Sequence, residues 1–265
     1  MQLPINTSAW YDRIWAAFIF FTRLPFWRLH QPKKEAYSTV VEHWPLVGWL
    51  TGACMGAVIY FGCMAFSYEI AILLAIVTRL LMTGALHEDG LADFLDGFGG
   101  GGSDRQHILD IMKDSHIGTY GVLGLIFYFL LLFFALYAMT SLDAALTIAA
   151  ADPFAKMLSA QLIQMIPYAR TAETAKNHTV YRKFNTWAGV SLAIQGLLPI
   201  GLYIYFMYTR IDWQLLIFTP AIVMYFLYLL IWRRLRGYTG DCCGALCLIT
   251  ELATLLVASY SLSIE

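Results

Sequence analysis

The feature that most constrains this chain is the length of its uncharged apolar runs. Trp44 to Ser67 contains no charged side chain, and neither does Gly118 to Thr140. Each run exceeds the roughly 20 apolar residues that carry an α-helix across the hydrocarbon of a bilayer. Lipid offers backbone groups no hydrogen-bond partner, so such runs must be helical. Only 13% of the 265 residues are charged, about half the share that a water-soluble domain uses to cover its surface. A soluble protein with unusually buried helices is the alternative, and it accounts for neither the run lengths nor the charge content. The expected fold is all-α: one polytopic helical membrane domain spanning residues 1–265.

Seven spans are predicted, at 45–66, 69–86, 118–140, 143–167, 187–208, 213–232 and 245–262. The segment 14–22 is too short to cross, and Trp10, Tyr11 and Trp15 mark it as an interfacial helix. Arg28, Lys33 and Lys34 precede the first span, and Arg105 and Lys113 follow the second. Arg170, Lys176, Arg182 and Lys183 follow the fourth, and Arg233, Arg234 and Arg236 follow the sixth. The intervening connections and the C-terminal tail hold only Arg210 among Lys and Arg. Cytoplasmic loops collect basic residues, so the long polar loops are expected to face the cytoplasm and the C-terminus the other side.

Other features narrow the function. A net charge of −1 leaves no basic face for nucleic acid. Cys54 and Cys63 lie within a span, and Cys242, Cys243 and Cys247 have neither a histidine nor a second cysteine pair beside them, so all five read as small apolar helix residues. Asp12 and Arg13 lead into an apolar stretch that ends at Arg23 without a small-residue cleavage site, unlike a secretory signal. No internal repeat or low-complexity linker is evident.

Chemistry concentrates in one place. Seven of the chain's 18 acidic residues fall between Glu88 and Asp114. If residues 87–97 are helical, Asp89, Asp93 and Asp96 lie at i, i+4 and i+7, within about 60° of one another on a single stripe. Asp110 and Asp114, again four apart, are expected to form a matching pair on a second helix. Like charges at this spacing repel and destabilise a helix, and crowding favours protonation unless a cation is present. Aspartate oxygens are hard ligands suited to Mg²⁺, Mn²⁺ or Ca²⁺ rather than zinc. Facing helices with five carboxylates would then hold one or two Mg²⁺ ions. A solvated acidic loop is the bland reading; against it, Leu91, Phe94, Leu95, Ile108, Leu109 and Ile111 interleave with the acids and make the segment amphipathic.

Gly99 to Gly102 can turn the chain between the two acidic stretches, but no Gly-Lys-Ser/Thr follows, so a nucleotide P-loop is not supported. Arg105 and Lys113 are cations suited to phosphate oxygens or to charge balance. His87 and His116 flank the cluster as candidate proton carriers or as neutral interfacial histidines. Arg79 lies inside a span, where an unpaired cation is costly; its expected partner is an aspartate of the cluster or a substrate phosphate. Carboxylates, a hard dication and cations at a membrane edge together point to phosphoryl or nucleotidyl-phosphate transfer.

The run from Leu81 to Gly124, with His87-Glu88-Asp89-Gly90-Leu91-Ala92-Asp93 and later Met112-Lys113-Asp114-Ser115, resembles the signature of the adenosylcobinamide-GDP ribazoletransferase (cobalamin synthase) family. The likeness extends to Phe21-Thr22-Arg23-Leu24-Pro25, to Pro167-Tyr168-Ala169-Arg170 and to Tyr238-Thr239-Gly240-Asp241-Cys242-Cys243-Gly244-Ala245. It implies a Mg²⁺-dependent enzyme of the cytoplasmic (inner) membrane that joins adenosylcobinamide-GDP to α-ribazole or its 5'-phosphate and releases GMP. On that basis His87, Asp89, Asp93 and Asp96 are the catalytic candidates, and Asp89, Asp93, Asp96, Asp110 and Asp114 the metal ligands. Arg79, Arg105, Lys113, Lys156, Arg170 and Asp241 are the substrate-binding candidates. Glu88 stands where the family has an apolar residue and is expected outside the metal shell. A stretch with Asp152, Pro153 and Lys156 stands where the family often shows Ser-Arg, with Lys156 as a less directional substitute for the arginine. Asp241 is either a polar contact of the site or a cap of the last helix.

Two other functions share parts of this pattern. A CDP-alcohol phosphotransferase would show Asp-Gly-x-x-Ala-Arg, and the arginine is absent after Asp89-Gly90. A divalent-cation transporter would carry its carboxylates near the bilayer midplane on broken helices, whereas these flank the spans on one loop.

Overall fold

In a computed structural model the described residues are 9–170 and 181–262; Lys176 of the basic loop lies outside them. The architecture is all-α. The helices run in the order α1 (Trp10–Phe21), α2 (Trp44–Gly62), α3 (Tyr68–Thr83), α4 (Leu86–Gly100) and α5 (Arg105–Ile111), then α6 (Thr119–Tyr137), α7 (Ser141–Met165), α8 (Thr186–Met207), α9 (Trp213–Leu235) and α10 (Gly240–Leu262). Extended structure among the described residues is confined to one isolated bridge, Tyr168 to Tyr238.

Among the described residues, five stretches are long and apolar enough to cross a bilayer alone: Lys34–Gly62, which ends in α2, and α6, α8, α9 and α10. The expected count of seven changes at two places. The predicted span 69–86 stops at Thr83, and α3 and α4 qualify only as a pair bent by 90°. The bend has a local cause, because Gly84 (φ 64°) and Ala85 (φ 55°) are consecutive left-handed residues. Glycine adopts that conformation freely; for Ala85 it costs about 1–2 kcal/mol. The predicted span 143–167 is α7, of 25 residues. It lacks the apolarity of the others because Asp143, Asp152 and Lys156 lie within it.

Those charges are held inside the protein. Asp143 receives Arg210 Nη1 at 2.8 Å, and Lys156 is ion-paired with Asp152 one turn away, both buried. Asp152 also accepts the Thr51 hydroxyl of α2 at 2.5 Å. The contact between α2 and α7 is close because Gly48, Gly52 and Gly56 present backbone to it. A Cβ at Gly48 would lie 2.7 Å from Pro153 Cα, and one at Gly56 2.6 Å from the Ala145 carbonyl. Small residues four apart are how membrane helices approach without a hydrophobic driving force. Lys156, expected to bind substrate, is buried in the core and paired with Asp152.

Arg79 is likewise paired inside the protein. Its Nη1 donates to Glu251 of α10 at 2.5 Å and its Nη2 to the Tyr128 hydroxyl of α6 at 2.7 Å. Glu88 lies 3.7 Å from its Nε. The guanidinium ties α3, α6 and α10 together in the interior, and no aspartate of the cluster is among these partners.

At the N-terminal end, α1 packs against the 3₁₀ stretch Lys34–His43. His30 reaches back to Asp12 at 2.6 Å and Arg13 to Glu42 at 3.1 Å. Trp10 and Tyr11 remain exposed, and with 12 residues α1 is about 18 Å long, too short to span.

Candidate active site

The cluster sits where α4 begins against the start of α10. Glycines permit the approach: a Cβ at Gly90 would lie 3.1 Å from Asp241 Cα, and one at Gly244 3.3 Å from the His87 carbonyl. A cavity opens between the two helix starts. His87 and Asp89 of α4 and Asp241, Cys243 and Gly244 of α10 line it, and Phe20, Phe21, Trp44, Tyr168, Arg170 and Tyr181 complete its wall.

Each predicted acid has a distinct setting. Asp89 is exposed at the cavity wall, and Asp93, one turn on, is half-buried. Asp96 is buried, and its two oxygens accept the backbone N–H groups of Gly118 at 2.7 Å and Gly121 at 2.8 Å. These donors belong to the first turn of α6, where four N–H groups lack an intrahelical partner and a negative charge is favoured. Asp96 thus caps α6 from a neighbouring helix. Glu88 turns away from the cavity toward Arg79, and neither of its oxygens has a hydrogen-bond partner among the described residues.

The second acidic stretch departs from expectation. The helix α5 ends at Ile111, so Asp110 lies in its last turn and Asp114 beyond it. Both are exposed. Asp110 accepts Gln106 Nε2 at 2.8 Å. Asp114 pairs with His116 Nδ1 at 2.7 Å, and this hydrogen bond holds its carboxyl below the ordinary value. The five aspartates do not converge: among the described residues no group of three His, Cys, Asp or Glu side chains is placed to share an ion.

The cations sort equally clearly. Arg105, Lys113 and Arg170 line a second opening together with Asp110. Arg105 is fixed there by Nε to the Leu235 carbonyl at 2.7 Å and Nη2 to the Ala169 carbonyl at 2.6 Å. Arg170 donates Nη2 to the Leu109 carbonyl at 2.8 Å and lines both openings, so it joins the cationic groove to the cavity. Asp241 belongs to the cavity. The capping role at the start of α10 falls to Thr239, whose hydroxyl accepts the Cys242 N–H at 3.3 Å.

His87 is buried. Its ring lies near-parallel to Trp44, with centroids 5.6 Å apart, and to Phe21 at 6.2 Å. His116 lies apart from it, exposed beside Asp114. The sequence reading missed Glu251 and Tyr128, which hold Arg79, and the aromatic wall of the cavity. A glutamate inside the span 245–262 is a signal that something buried opposes it. No sequence signal gathers Phe20, Trp44, Tyr168 and Tyr181, which come from four separate segments.

The profile of the family described as Cobalamin-5-phosphate synthase matches residues 13–259. The chain belongs to that family. Adenosylcobinamide-GDP ribazoletransferase of Leptospira interrogans (serogroup Icterohaemorrhagiae, serovar copenhageni) is 32% identical over 246 residues, covering 91% of this chain and 92% of the relative. The enzyme of the same name from Vibrio cholerae serotype O1 is 32% identical, covering 90% and 89%, and that from Shewanella amazonensis is 34% identical, covering 91% and 92%. No solved structure matches. The protein is a multi-pass membrane transferase of cobalamin biosynthesis, and membership in this family sets aside the phosphotransferase and transporter alternatives.

Proposed function

We propose that this protein joins adenosylcobinamide-GDP to α-ribazole or its 5'-phosphate and releases GMP, using Mg²⁺, at the cavity between α4 and α10. The observation that carries the reading is the meeting of carboxylates and cations. Asp89 and Asp241 line the cavity, and Arg170 continues from it into the groove of Arg105 and Lys113. A diphosphate brings negative charge that the three cations match, and two of them are already oriented by backbone carbonyls. Arginine nitrogens give phosphate oxygens directional, charge-assisted hydrogen bonds.

The donor set also fits Mg²⁺. This ion keeps several waters and is commonly held by one or two carboxylates plus substrate phosphates rather than by an all-protein cage. An exposed Asp89 with Asp93 one turn away supplies such a partial site. Asp96, its oxygens engaged by α6, would take part only by sharing them, while Asp110 lines the second opening and Asp114 is exposed beside His116. Bound there, Mg²⁺ would neutralise the diphosphate and ease departure of the nucleotide.

In the transfer, the 3'-hydroxyl oxygen of the ribazole ribose bonds to the phosphorus attached to the corrinoid. The anhydride P–O bond breaks, and its electron pair leaves with GMP. The hydroxyl proton passes to a carboxylate of the cavity wall, Asp89 or Asp241. Arg170 and Arg105 hold the phosphates in line, so positioning supplies much of the rate. The basic residues flanking the site support a cytoplasmic face.

The test is GMP release from adenosylcobinamide-GDP by the protein in proteoliposomes. Release should need α-ribazole or its phosphate, stop in EDTA and return with Mg²⁺. Absence of GMP, or undiminished release in EDTA, would overturn the reading.

A further inference from the structure

The segment that follows α1 folds back along it and is sorted into an inward and an outward side. Phe26 meets Trp15 and Phe18, with ring centroids 5.9 and 5.2 Å apart. His30 meets Tyr11 at 5.5 Å, and its Nε2 lies 2.6 Å from Asp12 Oδ1. Between these two anchors Trp27, Arg28 and Leu29 point out and are exposed. Leu29 is 74% and Trp27 43% exposed, and Trp10 at the start of α1 is 73% exposed. A surface that faces water rarely gathers large apolar side chains in this way. The neighbouring charge is of one sign. Asp12 and Glu42 are buried and held by His30 and Arg13, which leaves Glu35 against Arg28, Lys33 and Lys34, all exposed. Lys33 is near enough to Asp12 to act on its charge, which sets it at the same end of α1.

We propose that this outward face, Trp10, Trp27 and Leu29 with Arg28, Lys33 and Lys34, docks on the headgroups of anionic phospholipids. Its depth follows from its neighbours. The Arg23 N–H donates to the Met82 carbonyl at 2.7 Å, which ties the segment to the end of α3. The stretch Lys34–Gly62, long and apolar enough to cross a bilayer, begins directly after it. The face therefore stands where spans leave the hydrocarbon. Tryptophan favours that level, with its ring among the headgroups. Trp27 and Leu29 enter the acyl boundary, and the cations beside them meet lipid phosphates. Folding back on α1 is what presents them: the Phe26 and His30 contacts turn the three residues between them outward as one rigid tip. The far end of α1 supplies Phe20 and Phe21 to the cavity wall, so the lipid-docked unit is continuous with the site.

The test uses the full chain in phosphatidylcholine proteoliposomes to which phosphatidylglycerol with brominated acyl chains is added in rising proportion. Quenching of Trp27 is read as the difference between the wild type and Trp27→Phe. It should reach half its limit at a lower proportion of brominated phosphatidylglycerol than of brominated phosphatidylcholine. Arg28→Gln should raise the proportion of phosphatidylglycerol needed about 5-fold, the equivalent of one basic residue at an anionic surface, and Arg28→Lys should keep the wild-type value. Added salt should weaken the preference, and soluble glycerol 3-phosphate at the same ionic strength should not compete. Equal quenching by the two lipids would show a surface without charge selectivity, and absence of quenching by either would place the face in water or against protein. Competition by glycerol 3-phosphate would make it a site for free phosphate. Each of these three results overturns the proposal.

Discussion

The acidic segment contains two stretches that look alike in sequence and differ in structure. On α4, Asp89, Asp93 and Asp96 keep the i, i+4, i+7 spacing on a continuous helix. They grade from exposed at the cavity to fully engaged in holding α6. Around α5, Asp110 and Asp114 have the same four-residue spacing, but the helix stops between them and both face outward. Spacing alone therefore does not make a site. What distinguishes α4 is the opposing element: α10 packs against it through Gly90 and Gly244, whereas α5 borders an open groove.

The comparison predicts graded effects of neutralising each aspartate. Asp89→Asn should lower GMP release at limiting Mg²⁺ by at least ~100-fold, the order seen when an electrostatic contact to a reacting centre is lost, and Asp93→Asn should act likewise. Both variants should still insert in the membrane; near wild-type turnover in both would erase the distinction drawn for α4. Asp96→Ala should act through folding, because it strands two N–H groups at the start of α6. Its expected cost is about 1–3 kcal/mol, read as a lower midpoint of thermal unfolding in detergent, and an unchanged midpoint would contradict the capping role. Asp110→Asn should change turnover by no more than ~3-fold, since exposed charges interact weakly. A loss as large as that of Asp89→Asn would restore the two stretches to equal standing.

The smallest effect concerns Asp114. Its hydrogen bond with His116 depresses the carboxyl below 3.8, so any stability this pair contributes is fully present above that pH. It is lost as pH falls through the lowered value. A carboxyl ¹³C titration should place Asp114 below 3.8; titration at or above that value would show that the turn is not formed.

Much of this was legible in the sequence, and the limits are instructive. The apolar runs set the all-α membrane fold, and the motif around Asp89 carried the family. The 3.6-residue period also placed Asp89, Asp93 and Asp96 on one helix. What stayed hidden depends on contacts between distant segments. Glu251 answers Arg79 from 172 positions away, so the arginine was paired in prospect with the nearest acids instead. Asp152 and Lys156 looked like a departure in a ligand contact, yet they close on each other against Thr51. The break after Thr83 was marked only by Gly84, because Ala85 gives no sign that it adopts a left-handed conformation. For Asp96, nothing in the acidic run signals that its carboxylate also holds the start of α6.

Binding of Mn²⁺, followed by its paramagnetic resonance, tests the central proposition that a partial aspartate site on α4 is completed by substrate. The ion should bind weakly to the protein alone and tightly once adenosylcobinamide-GDP is added. The gain should vanish in Asp89→Asn and Asp93→Asn and persist in Asp110→Asn. Tight binding without substrate, or a substrate-dependent gain that survives in both α4 variants, would contradict it.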